Sequence, residues 1–281
     1  MLNPDDFKRA IQAVDALGAT PAVLVKVAEL VKDPDADLST ICAFLRNDGP
    51  LAAEIIRISN SPYYAPATFH GNLTSSVSQI GLREVIRVVN LSLSRKIFAR
   101  DLPGYGVLAD DYWSGSVAAA LVMEALAKHS GLNPEDAYTI GILHAIGRVL
   151  INRVIDEKGF AIYWDGLQPI QEWERGAVGF DYAEAGAMLL EHWRFPIATC
   201  DVIRWQLDPE KAVQQPSLLG ALQLTHRLLA LTGLDFENTG WRFPETDPFV
   251  RASGITPAIL LQLLSVCRDD LRRIRQSVAV S

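Results

Sequence analysis

The chain has 281 residues, enough to bury a sizeable core as one large domain or two small ones. Hydrophobic residues make up 49% and charged residues 21%, a globular balance that excludes a disordered chain. The formal net charge of -7 gives no global attraction to phosphate backbones or anionic lipid, so neither nucleic acid nor membrane is an expected partner.

The apolar spacing is helical nearly everywhere, and the elements follow in chain order. Thr20-Pro21 opens the first clear helix, a cap residue followed by proline, with Val23, Val27, Leu30 and Val31 in one stripe. Asp33-Pro34-Asp35 ends it. Asp37 or Ser39 starts a second helix carrying Ile41, Phe44 and Leu45, and Gly49-Pro50 separates it from a third, Leu51 to Ile58. Asn60 to Asn72 is a loop by composition. Thr74 is the expected cap of a short helix ending at Ile80, and Gly81 precedes a long one, Leu82 to Phe98.

The Pro/Gly-bearing connection from Asp101 to Gly106 divides the chain into two halves, residues 1–100 and 101–281. Tyr112 to Lys128 is helical, with Trp113, Val117, Leu121 and Ala125 on one face. Asn133-Pro134 caps a helix expected to run to about Val154. Phe160 to Trp164 has strand character but no strand to pair with. Asp181 and Glu184 form a capping box for a helix to Trp193. Pro196, Pro216 and Thr256-Pro257 start three more. Many amphipathic helices on short loops must bury their stripes against one another, which gives an all-α packing of two helical bundles.

Cys42, Cys200 and Cys267 are far apart and form no CxxC pair, so they read as reduced core thiols. The polar start is not a secretory leader, and no apolar run reaches the roughly 20 residues of a membrane span, which points to the cytoplasm.

Several segments occur in the order and spacing of one known family. They are Pro21 to Leu30, Asp33 to Ser39, Asn47 to Leu51, Ile56 to Tyr64 and Ser75 to Ile86. In the second half, Trp113 to Ala118, Gly141 to Arg148, Phe180 to Leu190 and the Trp193 to Pro196 turn continue the pattern. Over roughly Pro21 to Leu207 the chain resembles the HDOD domain, a degenerate relative of the HD metal phosphohydrolases. The resemblance implies an HD-like C-terminal bundle. It also implies a bacterial signalling role through protein–protein contacts, beside receiver, kinase or cyclic-nucleotide domains.

An HD hydrolase needs imidazoles and carboxylates converging on one or two metal ions, which acidify a bound water and polarise a phosphate oxygen. At the positions that the resemblance assigns to those ligands, this chain has Gly115, Ala145 for the aspartate of the HD pair, Tyr182, and Trp205-Gln206. Only His144 remains, which implies a dismantled metal site, no cofactor and no catalysis. Taken alone, His144 is a core histidine bonded to a carbonyl or hydroxyl. The other histidines show no ligand spacing, and surface or helix-end roles are expected for them, His226 included. The small residues Gly141 and Gly147 indicate close helix packing.

Arg83, Arg87, Arg95, Lys96 and Arg100 form the one local basic cluster, expected to be a solvated helix face. Tyr63 and Tyr64, beside Asn60 in their loop, are expected to pack over the junction between halves. With Arg83 and Arg87 they are also the candidate partner surface. The leading function is a non-catalytic regulatory module. The alternatives are a divergent metal-dependent phosphohydrolase or phosphodiesterase, and a metal-free nucleotide sensor.

Overall fold

The computed structural model describes residues 9–12, 14, 22–33, 37–61, 63–64, 69–157, 159, 162–211, 214–232 and 248–278. The first bundle contains α1 (Ala22–Lys32), α2 (Leu38–Leu45), α3 (Gly49–Ser59), α4 (Leu73–Ile80) and α5 (Leu82–Ile97). A 3-10 turn, Pro103–Tyr105, leads to the second: α6 (Ala109–Ser130), α7 (Pro134–Leu143), α8 (Gly147–Glu157), α9 (Ile170–Val178), α10 (Tyr182–His192), α11 (Ile197–Trp205), α12 (Pro216–Thr232), α13 (Pro248–Ser253) and α14 (Pro257–Val278). The fold is all-α, and no strand occurs among the described residues. Thr20, Pro21, Pro34 and Asp35, assigned above to helix ends, lie outside the described residues. So do Phe160 and Ala161 of the candidate strand; the rest of that segment is irregular, with the Trp164 amide donating to the Gly104 carbonyl at 2.8 Å.

Short polar side chains start the helices by accepting an otherwise unpaired backbone N–H. Asp37 takes the Thr40 amide at 2.8 Å, Asp48 that of Leu51 at 2.9 Å, Asn133 that of Asp136 at 2.8 Å and Asp181 that of Glu184 at 2.9 Å. Thr74 is not a cap. Asn72 caps α4 by accepting from the Ser75 amide at 2.9 Å, and Thr74, two residues inside, accepts from Arg46 Nη2 at 2.7 Å instead.

The helix from Asn133 does not continue to Val154; it breaks at residues 144–146. There the amides of Ile146, Arg148 and Val149 bond back three residues, to Leu143, Ala145 and Ile146, in place of the four-residue pattern of an α-helix. Side chains from elsewhere hold the carbonyls of the break. Gln206 Nε2 donates to His144 O at 2.8 Å and Tyr112 Oη to Ala145 O at 2.5 Å.

The core is continuous through both bundles. α6 is its axis, buried without interruption from Tyr112 to Met123 and packed by α7, α12 and α14. α14 lays Leu260, Leu264, Cys267, Leu271 and Ile274 on it at three-to-four-residue spacing. The bundles join where α5 packs on α6 and α7. The stretch Pro134–Glu157 passes the length and apolarity test for a membrane span, but 83% of its most apolar window is buried inside the protein. The three cysteines are buried and free.

Two glycines set how closely helices approach. A Cβ on Gly141 would lie 2.6 Å from the Ala120 Cα of α6, and one on Gly147 would lie 2.0 Å from the Tyr182 carbonyl oxygen and 2.5 Å from the Gly186 amide nitrogen of α10. Backbone cannot yield there as a flexible side chain would. Gly147→Ala is therefore expected to cost about 3 kcal/mol or more, read as a lowered urea midpoint, with Gly176→Ala, where nothing lies within 4 Å, as the neutral control.

Candidate functional site

The break between α7 and α8 puts His144 at the centre of the second bundle, 4% exposed. Its Nδ1 lies 2.7 Å from the Gly141 carbonyl, which can only accept, so Nδ1 carries the proton. This is the core histidine the sequence indicates. His226 departs from expectation. It is 2% exposed in the middle of α12, and its ring meets that of His144 edge-to-face at 4.9 Å. Its register explains why: Leu219, Leu222, His226 and Leu229 recur at helical spacing, so His226 falls on the buried face of the helix.

The remaining positions implied by the resemblance are partly brought together. Gly115 is buried in α6, and Ala145 is wholly buried in the break. Tyr182 is wholly buried at the start of α10, its carbonyl against Gly147. Of the Trp205-Gln206 pair, Gln206 reaches His144, while Trp205 is half-buried with Lys211 Nζ 5.6 Å over its ring. Among the described residues no three His, Cys, Asp or Glu side chains converge as metal ligands would.

Beside Tyr182 lies a charge cluster that sequence reasoning missed. Arg148, at the end of the Gly141 to Arg148 motif, is fully buried, with its guanidinium carbon 4.3 Å from the Tyr182 ring and 5.7 Å from that of Tyr105. Its Nε is 4.0 Å from Glu174 Oε1. Glu174, also fully buried, accepts from Tyr105 Oη at 2.9 Å and from the Tyr182 amide at 2.8 Å. Burial pushes this carboxyl up to about 8, against the opposing pull of Arg148 and the two donors. The signal was present in α9: Ile170, Trp173, Glu174 and Val178 share one face, so a charge sits among apolar side chains.

The candidate partner residues are mostly engaged inside the protein. Asn60 closes its loop, donating to the Ile56 and His70 carbonyls at 2.7 and 2.9 Å and accepting from the His70 amide at 2.8 Å. Tyr63 and Tyr64 stack edge-to-face at 4.8 Å; Tyr64 donates to Glu84 Oε2 at 3.0 Å and Tyr63 accepts from Arg87. Arg87 also pairs with Glu124 of α6, which ties the loop and α5 across the junction. The tyrosines thus pack at the junction as expected. The expectation of a solvated basic face fails at Arg87, whose side chain is 10% exposed and finds Glu124 of α6 and the Tyr138 ring of α7. Arg95 stays solvated, 39% exposed, with its guanidinium 4.9 Å over Trp113 and paired at 2.7 Å with the exposed Asp110. Arg83 matches the expectation, 85% exposed and 3.8 Å from Glu135.

An all-α pair of bundles with a histidine at a break in the second one defines an HD-like helical protein. The family model of the HDOD domain matches residues 17–209, most of the chain, and the chain belongs to the HDOD family. A Treponema pallidum (strain Nichols) protein is 23% identical over 226 residues, covering 77% of this chain and 43% of that protein, so the chain spans less than half of that relative's length. An HDOD domain protein from Geobacter sulfurreducens superposes with a TM-score of 0.69 at 20% identity over 93% of this chain and 92% of that one. A Shewanella amazonensis SB2B protein whose name suggests a phosphohydrolase gives 0.66 at 22%, over 95% and 97%. A Marinobacter aquaeolei VT8 protein named for signal transduction gives 0.70 at 19%, over 97% and 64%. At these identities the likeness is one of fold.

The Glu174 carboxyl yields a pH prediction. Because its affinity for the proton rises from the ordinary 4.5 to about 8 on folding, the folded chain binds that proton more tightly than the unfolded chain. The linked stabilisation is complete below about 4.5 and is lost as pH rises through about 8. Melting temperature is expected to fall as pH rises across that window, and Glu174→Gln is expected to flatten the slope, both followed by circular dichroism melts.

Proposed function

We propose that this chain is a non-catalytic signal-transduction module that acts in the cytoplasm through protein–protein contacts. In this reading residues 1–100 and 101–281 are its two units, and its partners are receiver, kinase or cyclic-nucleotide signalling domains. The signal-transduction name of the Marinobacter protein agrees with that setting.

The observation that carries the reading is which residues stand at the positions that the resemblance assigns to HD metal ligands. Gly115 and Ala145 offer no donor, and Tyr182 is wholly buried with its ring covered by Arg148. Of the ligand positions only His144 keeps a metal-binding side chain, and a single imidazole does not hold a catalytic divalent ion. These residues do not fit a catalytic divalent ion.

The phosphohydrolase alternative has one observation in its favour, the contact of His144 with His226, which would supply two imidazoles. Elemental analysis of the purified chain, with phosphodiesterase assays in added manganese, decides between the two. The expected result is under about a tenth of an equivalent of bound metal and no turnover. One or two equivalents of iron, manganese or zinc, with hydrolysis lost in both His144→Ala and His226→Ala, overturns the proposal.

A further inference from the structure

α14 (Pro257–Val278) carries two lines of side chains, and only one of them is covered. Leu260, Leu264, Cys267, Leu271 and Ile274 form the buried line on α6. Leu261, Ser265, Arg268, Arg272 and Arg275 form the second, about 100° further round the helix. All five are exposed, Leu261 at 70%. Their spacing alternates four and three residues, the heptad pattern that keeps one face of a helix toward a partner helix. The line lies beyond residue 209, outside the match to the family model.

The charge on this line is uncompensated. Exposed cations elsewhere sit beside carboxylates, as Lys26 does with Glu29, Arg175 with Asp181 and Arg204 with Glu191. On α14, Asp270 pairs with Arg273 on another face of the helix, and Asp269 reaches only Arg272, at 3.5 Å with both side chains well exposed. Arg268 and Arg275 pair with no carboxylate among the described residues. Like charges three and four residues apart on a helix repel one another. The helix dipole offsets this for Arg275 in the last turn, but its effect fades within that turn and does not reach Arg268. A repulsion that the fold leaves in place is relieved by carboxylates brought by a partner.

Spacing and sign select the occupant. Arg268, Arg272 and Arg275 span about 10 Å along the axis, so carboxylates at the same spacing on a neighbouring helix meet them in register. Ser265 is small enough to let that helix approach, and Leu261 offers it an apolar anchor. A phosphate backbone suits the face less well, because the chain carries -7 overall and the line has no aromatic ring on which a base could stack. A lipid surface is met by several apolar side chains, and this line has one. We infer that this face of α14 docks an acidic amphipathic helix of a partner protein, with carboxylates on Arg268, Arg272 and Arg275 and an apolar side chain on Leu261. The inference rests on the reading above only in taking a protein as the partner. Metal content and turnover, which decide that reading, do not enter its test.

The test uses the full chain and a fluorescein-labelled helical peptide of about three heptads, its glutamates and one leucine set to match the line, followed by fluorescence anisotropy at near-physiological salt. The peptide is expected to bind. A peptide of the same composition with its glutamates moved off that face is expected to bind roughly tenfold more weakly. Arg268→Glu combined with Arg275→Glu is expected to weaken binding by roughly tenfold to a hundredfold with an unchanged circular dichroism melt. Should that reversal lower the melt, Arg268→Gln with Arg275→Gln takes its place, with an expected loss of roughly threefold or more. Lys26→Glu with Arg100→Glu makes the same change of charge at exposed positions in the first half of the chain and is expected to bind like the parent. The inference is overturned if the peptide does not bind, if the permuted peptide binds equally well, if the α14 substitutions change nothing, if the Lys26 and Arg100 reversal weakens binding as much, or if duplex DNA or anionic phospholipid vesicles displace the peptide.

Discussion

Everything in the second bundle is arranged around the contact of Gly147 with the first turn of α10. Only a residue without a side chain lets the Tyr182 carbonyl and the Gly186 amide come so close. That approach is made where α8 begins, directly after the turn at residues 144–146. At the turn the four-residue pattern lapses, and Tyr112 and Gln206 donate to the Ala145 and His144 carbonyls from α6 and from the end of α11. Three other helices thus meet at the turn where His144 lies.

The same geometry explains why the interior tolerates charge. Arg148 follows Gly147 directly and is directed inward, where two tyrosine rings and Glu174 surround it. Removing Glu174 would leave the buried Arg148 guanidinium with the two rings alone, which would cost more than the contact contributes. Glu174 is further held by the first amide of α10, at the positive end of that helix, so the pair is bound to the turn that created its space. The junction follows a similar rule: Arg87 is buried only because Glu84, Glu124 and Tyr63 reach it from three segments.

Much of this was legible in the sequence. The helices, most of their caps, the all-α packing and the family followed from period, capping residues and motif order. The placement of His144, and the role of Gly141 and Gly147 in close packing, followed from residue size and register. The break at 144–146 did not, because nothing in the apolar pattern of Asn133 to Val154 falters; its carbonyls are met by donors that are distant in sequence. Thr74 and Asn72 are both competent caps, and only the geometry of the turn selects Asn72. His226 and Glu174 were on the buried faces of their helices by register, yet polar type outweighed register. Arg87 was misjudged for a related reason: a helical cation looks solvated until its carboxylates arrive from another bundle.

The match to the family model ends at residue 209, but the physical unit does not. α12 and α14 lie beyond that point, and they cover α6 with His226 and with the stripe from Leu260 to Ile274. At about 1.5–3 kcal/mol for each large apolar side chain, that cover is comparable with the whole stability of an ordinary domain. The boundary of that match is therefore not a boundary of cooperativity. A fragment trimmed to the recognisable segment would carry an open greasy seam along its axis, and its behaviour in solution would report on that seam more than on the domain.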